Sequence, residues 1–344
     1  MIKHIASNVI TLLVVLLFCV GGIIAWGRGQ IERPGPLAQD TVFEVRRGER
    51  LREISERLEA EGIIRSAFLF RIAARYSGAD RKLKFGEYKI PAYASARDVL
   101  DIITSGRALS YTVTIPEGWT SWQVLTKLQE IAQTGLITCN TTEVPPEGSL
   151  APDTYAFARG DSCEQILRRM TEAQHRIITE EWALRDEDLP LKDTDEALTL
   201  ASIIEKETGK PEERALIASV FVNRLRKGMP LQTDPTVIYG ITRGKGVLGR
   251  GLRRSELRRR TPWNTYLIKG LPPTPIANPG RAAIHAALHP ARTNYLFFVA
   301  DGTGGHVFAE TIDEHNANVR KWRKIERRIR TQQQAGEGAA AAAE

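Results

Sequence analysis

Two carboxylates, Glu205 and Glu207, close a helical pattern, and only one of them stands where burial would change its chemistry. At about 100° per residue, Ala197, Leu200, Ile203 and Ile204 form one apolar stripe, and Glu207 falls between Ile203 and Ile204 in angle. Glu205 projects well away from the centre of that stripe. A carboxyl on a buried stripe loses hydration, which disfavours its ionised form and raises its pKa unless a cation compensates. That is what a general acid near neutral pH requires. The bland alternative is that Glu207 ends the stripe at a helix terminus, or pairs with Lys210 or Arg214. Nearby, Gln232, Asn223 and Tyr239 are neutral groups able to hydrogen-bond sugar hydroxyls and acetamido groups. Asp234, ahead of Pro235, reads as an N-cap with proline at the first helical position, not as a second catalytic carboxylate.

The helix that must hold Glu207 begins near Asp193, where Asp-Thr-Asp-Glu has the spacing of a capping box, and ends at Gly209 with Pro211 beyond. Glu212 to Lys227 forms the next amphipathic helix, stopped by Gly228. Tyr295 to Ala300 reads as a strongly buried strand. Upstream, a strand near Thr41, helices from Glu49 and Ser66, and a returning strand before Pro91 make a unit the size of a small carbohydrate-binding module. The expected organisation is α+β. It has an N-terminal anchor (1–27), an extended linker (28–40), the small module (41–111), a larger, mainly helical α+β domain (112–325) and a low-complexity, frayed tail (326–344).

Ile5 to Trp26 carries no charge and suits one membrane crossing of roughly 20 residues. It offers no convincing small-x-small cleavage site, so it reads as an uncleaved transmembrane helix. Fully stretched, the linker would reach ~45 Å from the membrane. The 48 Lys and Arg against 41 Asp and Glu suit anionic partners without choosing among them. The basic run at 253–260 reads as a solvated face or a contact with an anionic polymer, not a nucleic-acid site. His285 and His289 stand four apart but lack the intervening glutamate of a zinc helix, so no metal is expected. Cys139 and Cys163 either pair or stay as separate thiols. Trp119, Trp122 and Trp263 are candidates to stack on sugar faces.

Three segments carry a resemblance: Ala-Ser-Ile-Ile-Glu-Lys-Glu-Thr at 201–208, Asn223 to Gly240, and Asn264 to Gly280 with its Asn-Pro-Gly end. Together with Glu147 to Tyr155 and His289 to Phe308, they resemble the endolytic murein transglycosylase family, the YceG-like (MltG) proteins, from roughly Thr41 to Arg320. The resemblance implies a single-pass anchor in the inner membrane, a LysM-like module, and a catalytic domain in the periplasm acting on peptidoglycan glycan strands. It implies that Glu207, the second glutamate of Glu-Lys-Glu-Thr, is catalytic, and that the protein works beside wall elongation or division machinery that includes peptidoglycan synthases. Motif membership adds Asn264 to Gln232, Asn223 and Tyr239 as candidates for the glycan groove. A lytic transglycosylase needs no second carboxylate, because the C6 hydroxyl of N-acetylmuramic acid attacks its own C1 and leaves a 1,6-anhydro end. It needs no cofactor either. A non-catalytic wall-binding scaffold is the alternative from another class.

Overall fold

The computed structural model describes the backbone of residues 2–341 and the side chains of 10–328. A long apolar run can satisfy its backbone only within itself, and Ile2–Glu32 forms a single helix, α1. Its apolar side chains, Leu12, Leu17, Phe18 and Ile23 among them, are exposed. Among the described residues it is the one helix long and apolar enough to cross a membrane. The helix continues past Gly27 into the stretch expected as extended linker, because a glycine costs a helix only about 1 kcal/mol and no proline interrupts before Pro34. Beyond it, Gly35 N–H donates to Tyr93 O and Tyr93 N–H to Leu37 O, at 3.0 and 2.8 Å, so the connection is pinned down.

The chain divides into two compact units. The first comprises Met1–Thr112 with two returning segments, Thr134–Thr138 and Ala156–Ser162. It holds β1 (Thr41–Val45), α2 (Leu51–Ala60), α3 (Ala67–Tyr76), β2 (Gly86–Ile90) and α4 (Ala96–Ser105). β1 and β2 pair antiparallel with Phe43 opposite Tyr88. Phe43, Ile54, Leu58, Phe70, Tyr88 and Ile103 close the core between strands and helices. One returning segment is held by charge: Arg159 Nε donates to Glu87 Oε1 at 2.6 Å, beside Tyr111 Oη donating to Glu87 Oε2 at 2.6 Å.

The remaining elements run from β3 (Tyr111–Thr114) and α5 (Ser121–Gln133) through β4 (Thr154–Phe157), which pairs with β3, to α6 (Cys163–Ala183), α7 (Thr194–Glu207) and α8 (Arg214–Arg226). Then follow α9 (Asp234–Thr242), α10 (Arg254–Leu257), α11 (Arg281–Leu288), β5 (Phe297–Ala300), β6 (His306–Ala309) and α12 (Ile312–Ala341). In the second unit the core gathers around α7, with Ala197, Leu200, Ile203 and Ile204 packed on Ile217, Phe221, Ile284 and Leu288. Cys139 and Cys163 are bonded to each other. β5 is half-buried rather than strongly buried, since its partner in the sheet is β6 alone and a two-stranded ribbon covers little of either face. α12 carries the backbone helix through most of the low-complexity stretch, and residues 342–344 lie outside the described ones.

Candidate active site

Asp193 opens α7 as its N-cap, accepting from Glu196 N–H at 2.9 Å. The helix is buried over more than the expected stripe, because Thr199, Ala201 and Ser202 are enclosed as well. Ser202 Oγ donates to Thr199 O at 2.7 Å and accepts from Ile276 N–H at 3.0 Å. A close-packed element of this kind has no room to slide, so its last residue, Glu207, is fixed in place. As a whole residue Glu207 keeps some exposed surface, on a cavity of about 440 Å³, yet protein encloses its carboxyl, and that enclosure governs its titration. Burial raises its pKa to about 7, even though a hydrogen bond from Thr233 and the charge of His306 pull it down, and Asp234 pushes it further up.

Thr233 Oγ1 donates to Glu207 Oε1. The turn before α9 aims this hydroxyl. Gln232 sits in the left-handed region at φ 53°, a conformation that costs a non-glycine residue about 1–2 kcal/mol. Its N–H donates to Thr265 O and Thr233 N–H to Thr265 Oγ1, both at 3.1 Å, which holds the strained turn. The cap position falls on Thr233, one residue before the expected Asp234. That frees the Asp234 carboxylate to accept from Tyr266 Oη at 2.7 Å inside the same cavity.

His306 reaches the cavity from β6, and Glu213 holds it from both ends. Its backbone N–H donates to Glu213 Oε1 at 2.9 Å, and its ring Nδ1 lies 2.7 Å from Glu213 Oε2. Burial works against the Glu213 carboxylate, but those two hydrogen bonds and the charges of His306 and Lys210 hold it below the usual range. The clamp needs Gly305, where a Cβ would stand 2.5 Å from Glu213 Oε1.

Of the residues expected to line a glycan groove, Gln232 lines the cavity with Glu207. The other three do not line it. Asn223 donates to the carbonyls of Thr293 and Tyr295 at 2.8 and 3.0 Å and borders a separate cavity of about 710 Å³. Tyr239 Oη donates to Glu147 Oε2 at 3.1 Å with its ring against Trp263. Asn264 is fully buried, its amide spent on Leu257 O and Arg259 O. Trp263 has Arg243 over its ring at 4.0 Å, so one face is already taken. Pattern reading passed over Thr233, Arg224, Tyr266, His306 and His315, all of which line the cavity. Arg224, Thr233, Tyr266 and His306 stand inside the motif segments given above, which is the available signal, and His315 lies outside them.

Glu205 is also enclosed, contrary to its angle on the helix, and burial raises its pKa. Its Oε2 accepts from Gly280 N–H at 2.9 Å and its Oε1 lies 3.6 Å from Arg214. Glycine at 280 also leaves room for the Glu117 carboxylate, which a Cβ would force to move. Glu205 and the Asn-Pro-Gly segment therefore brace α7. The histidine pair lies elsewhere: Glu181, His285 and His289 bring one donor atom each within 4.8 Å of one another. Glu181 lies 2.8 Å from both Arg281 and His285 Nδ1, and Asp186 lies 2.7 Å from His289 Nδ1.

Against known proteins, the model of the YceG-like family matches residues 43–321. A Bacillus subtilis (strain 168) protein named endolytic murein transglycosylase is 31% identical over 334 residues, covering 88% of this chain and 91% of that protein. A Streptococcus pneumoniae serotype 2 protein of the same name is 29% identical over 318 residues, and the match covers 79% of this chain and 56% of its own length. A crystal structure of a yceG-like protein from Listeria monocytogenes, 30% identical, is matched over 81% of this chain and 98% of that one with a TM-score of 0.48.

Proposed function

The chain belongs to the YceG-like family, and we propose that it is an endolytic lytic transglycosylase that cuts the MurNAc–GlcNAc bond within peptidoglycan strands and leaves 1,6-anhydroMurNAc ends. The observation that carries this reading is Glu207: one enclosed carboxyl with a pKa of about 7, fixed at a helix end and facing a cavity. At neutral pH about half of such carboxyls hold a proton, so the group can give one up and take one back. Glu207 donates its proton to the glycosidic oxygen as the C1–O bond breaks. The C6 hydroxyl of the same muramic residue then bonds to C1, and its proton passes to Glu207. One bond forms as one breaks, no water is consumed, and the carboxyl returns to its starting state. Thr233 keeps the carboxyl oriented through both transfers. Gln232 is the remaining groove candidate on the same cavity, while Asn223, Tyr239 and Asn264 serve the scaffold that shapes it.

A hydrolytic reading has one observation in its favour, because Asp234 shares the cavity and a second carboxylate is what a hydrolase would use to activate water. Tyr266 Oη already takes one oxygen of that carboxylate, which favours a supporting role. We place α1 in the inner membrane, with the second unit in the periplasm. The bonded cysteine pair supports that side, since disulfides persist in oxidising compartments. The strand-helix-helix-strand unit fits a LysM-like glycan-binding module, and nascent strands beside the synthases are the natural substrate for an enzyme tethered this closely. The test is Glu207→Gln in full-length protein in detergent, incubated with purified sacculi. Cleavage should fall by at least ~100-fold, the contribution of a general acid, and cleavage at the wild-type rate by a folded variant would end the proposal.

A further inference from the structure

The 440 Å³ cavity contains a charge that the glycan chemistry above leaves without a use. Arg224 is only 7% exposed, yet among the described residues no carboxylate lies within ion-pair distance of it. Four acceptors take its other donors. Nε donates to Leu296 O at 2.6 Å, and Nη1 donates to Leu231 O at 2.9 Å, Pro230 O at 3.2 Å and Gln232 Oε1 at 3.4 Å. The guanidinium thus staples the turn before α9 to β5, and Phe297 covers it at 5.1 Å. Nη2 is left over, with no hydrogen-bond partner among the described residues. The carboxylates on the cavity are otherwise engaged: Glu207 with Thr233, and Asp234 with Tyr266. Close by on the same wall, His315 stacks on Phe297 and its Nδ1 is enclosed without a partner. Burial and the Arg224 charge both lower the His315 pKa, so this ring adds no second cation.

Enclosing a guanidinium without a counter-charge costs the fold more than enclosing a neutral donor would, and here burial is the main cause that lowers its pKa. Staple duty alone does not demand the charge. Sugar hydroxyls and acetamido groups do not demand it either, because neutral donors bind them as well. The substrate class proposed above does carry anions next to the scissile bond, but only on the peptide attached to the lactyl group of each muramic residue.

We infer that Arg224 binds a carboxylate of the stem peptide through Nη2, so that the enzyme selects glycan strands still bearing peptides over strands stripped of them. This rests on the transglycosylase reading and adds a specificity determinant to it. A hydrogen bond between a buried cation and a carboxylate is worth roughly ten- to hundredfold in binding.

The test uses the full-length protein in detergent and three substrates of matched length: peptide-bearing strands, the same strands with every stem carboxylate converted to an amide, and strands stripped of peptide by an amidase, with the lactyl carboxylates so exposed also converted to amides. Peptide-bearing strands should be cut with a kcat/KM at least tenfold above the other two, with the difference in KM. Preference for bearing over stripped strands that survives amidation would show that peptide bulk, not charge, is recognised, and would overturn the inference. Equal cutting of all three would overturn it too while leaving the transglycosylase reading intact, whereas cutting of none would sink that reading itself. Arg224→Lys keeps the charge but loses the fork, and Arg224→Gln keeps donors but loses the charge. If both remain folded by circular dichroism, Gln should lose the preference for peptide-bearing over amidated strands and Lys should retain part of it. A Gln variant that kept the full preference would contradict the assignment, and if Gln does not fold, the comparison of the three substrates on wild-type protein decides alone.

Discussion

Replacing the catalytic candidate should make the protein more stable, and only at one end of the pH scale. In the unfolded chain a glutamate titrates near 4.5, whereas the fold raises Glu207 to about 7 because burial penalises its charge. Between those values the folded state holds a proton that the unfolded state has released, so stability falls as pH rises. The contribution is fully present below about 4.5 and is lost as pH climbs through about 7. A shift of about 2.5 units corresponds to about 3 kcal/mol in total, of which about 2–3 kcal/mol is lost between pH 5 and pH 8. Glu207→Gln is neutral throughout and escapes the loss, and every other titrating group cancels in the comparison with wild type. Thermal unfolding of both proteins in detergent, measured from pH 5 to pH 8, should show the variant's advantage growing with pH, by about 5–10 °C at 2–4 °C per kcal/mol. An advantage that stays flat in pH would mean that Glu207 titrates like an ordinary carboxylate, and the argument from burial would fail.

Two substitutions should move the pH profile of cleavage in opposite directions. Thr233→Val removes a hydrogen bond that favours the ionised carboxyl, so the alkaline fall in kcat/KM should shift from near pH 7 upward by about 1 unit; Asp234→Asn removes a repelling charge and should shift it downward while leaving substantial cleavage. Shifts of the same sign, or abolition by Asp234→Asn, would reassign these roles. Glu205→Gln should keep most activity, because an amide oxygen still accepts from Gly280 N–H, whereas Glu205→Ala should destabilise α7 by about 1–3 kcal/mol in denaturant titration. Opening the Cys139–Cys163 bond, which closes a loop between residues 24 apart, should cost about 3 kcal/mol of stability, read by melting with and without reductant. With α1 helical to Glu32 and the connection to Asp40 hydrogen-bonded to Ala92 and Tyr93, the first unit is held close to the end of the anchor, so an exported form lacking Met1 to Gly27 at matched abundance should cut purified wall yet fail to restore normal glycan lengths in a deletion strain.

How much of this could be read in the chain depended on whether the signal was local. Asp193, Gly209 and the apolar repeat between them mark α7 by capping and periodicity, and the position of Glu207 follows from helical geometry alone. Glu205 defeated the same argument, because Gly280 and Arg214 arrive from other parts of the chain to cover it. Asn223, Tyr239 and Asn264 have the same hydrogen-bonding capacity whether it faces a sugar or is spent on carbonyls and a carboxylate within the protein, and no pattern distinguishes those uses. Arg224 and His306 reach the cavity through packing between distant segments. The returning segments of the first unit depend on Arg159 finding Glu87, 72 positions away, which periodicity cannot express.

The central claim is that Glu207 works without a water-activating partner, and the product records this directly. Sacculi digested by the full-length enzyme in oxygen-18 water, with the released muropeptides analysed by mass spectrometry, should give 1,6-anhydromuramic ends free of label. Reducing ends that carry oxygen-18 introduced by the cleavage would mean that water attacks C1, and the single-carboxyl mechanism would be wrong.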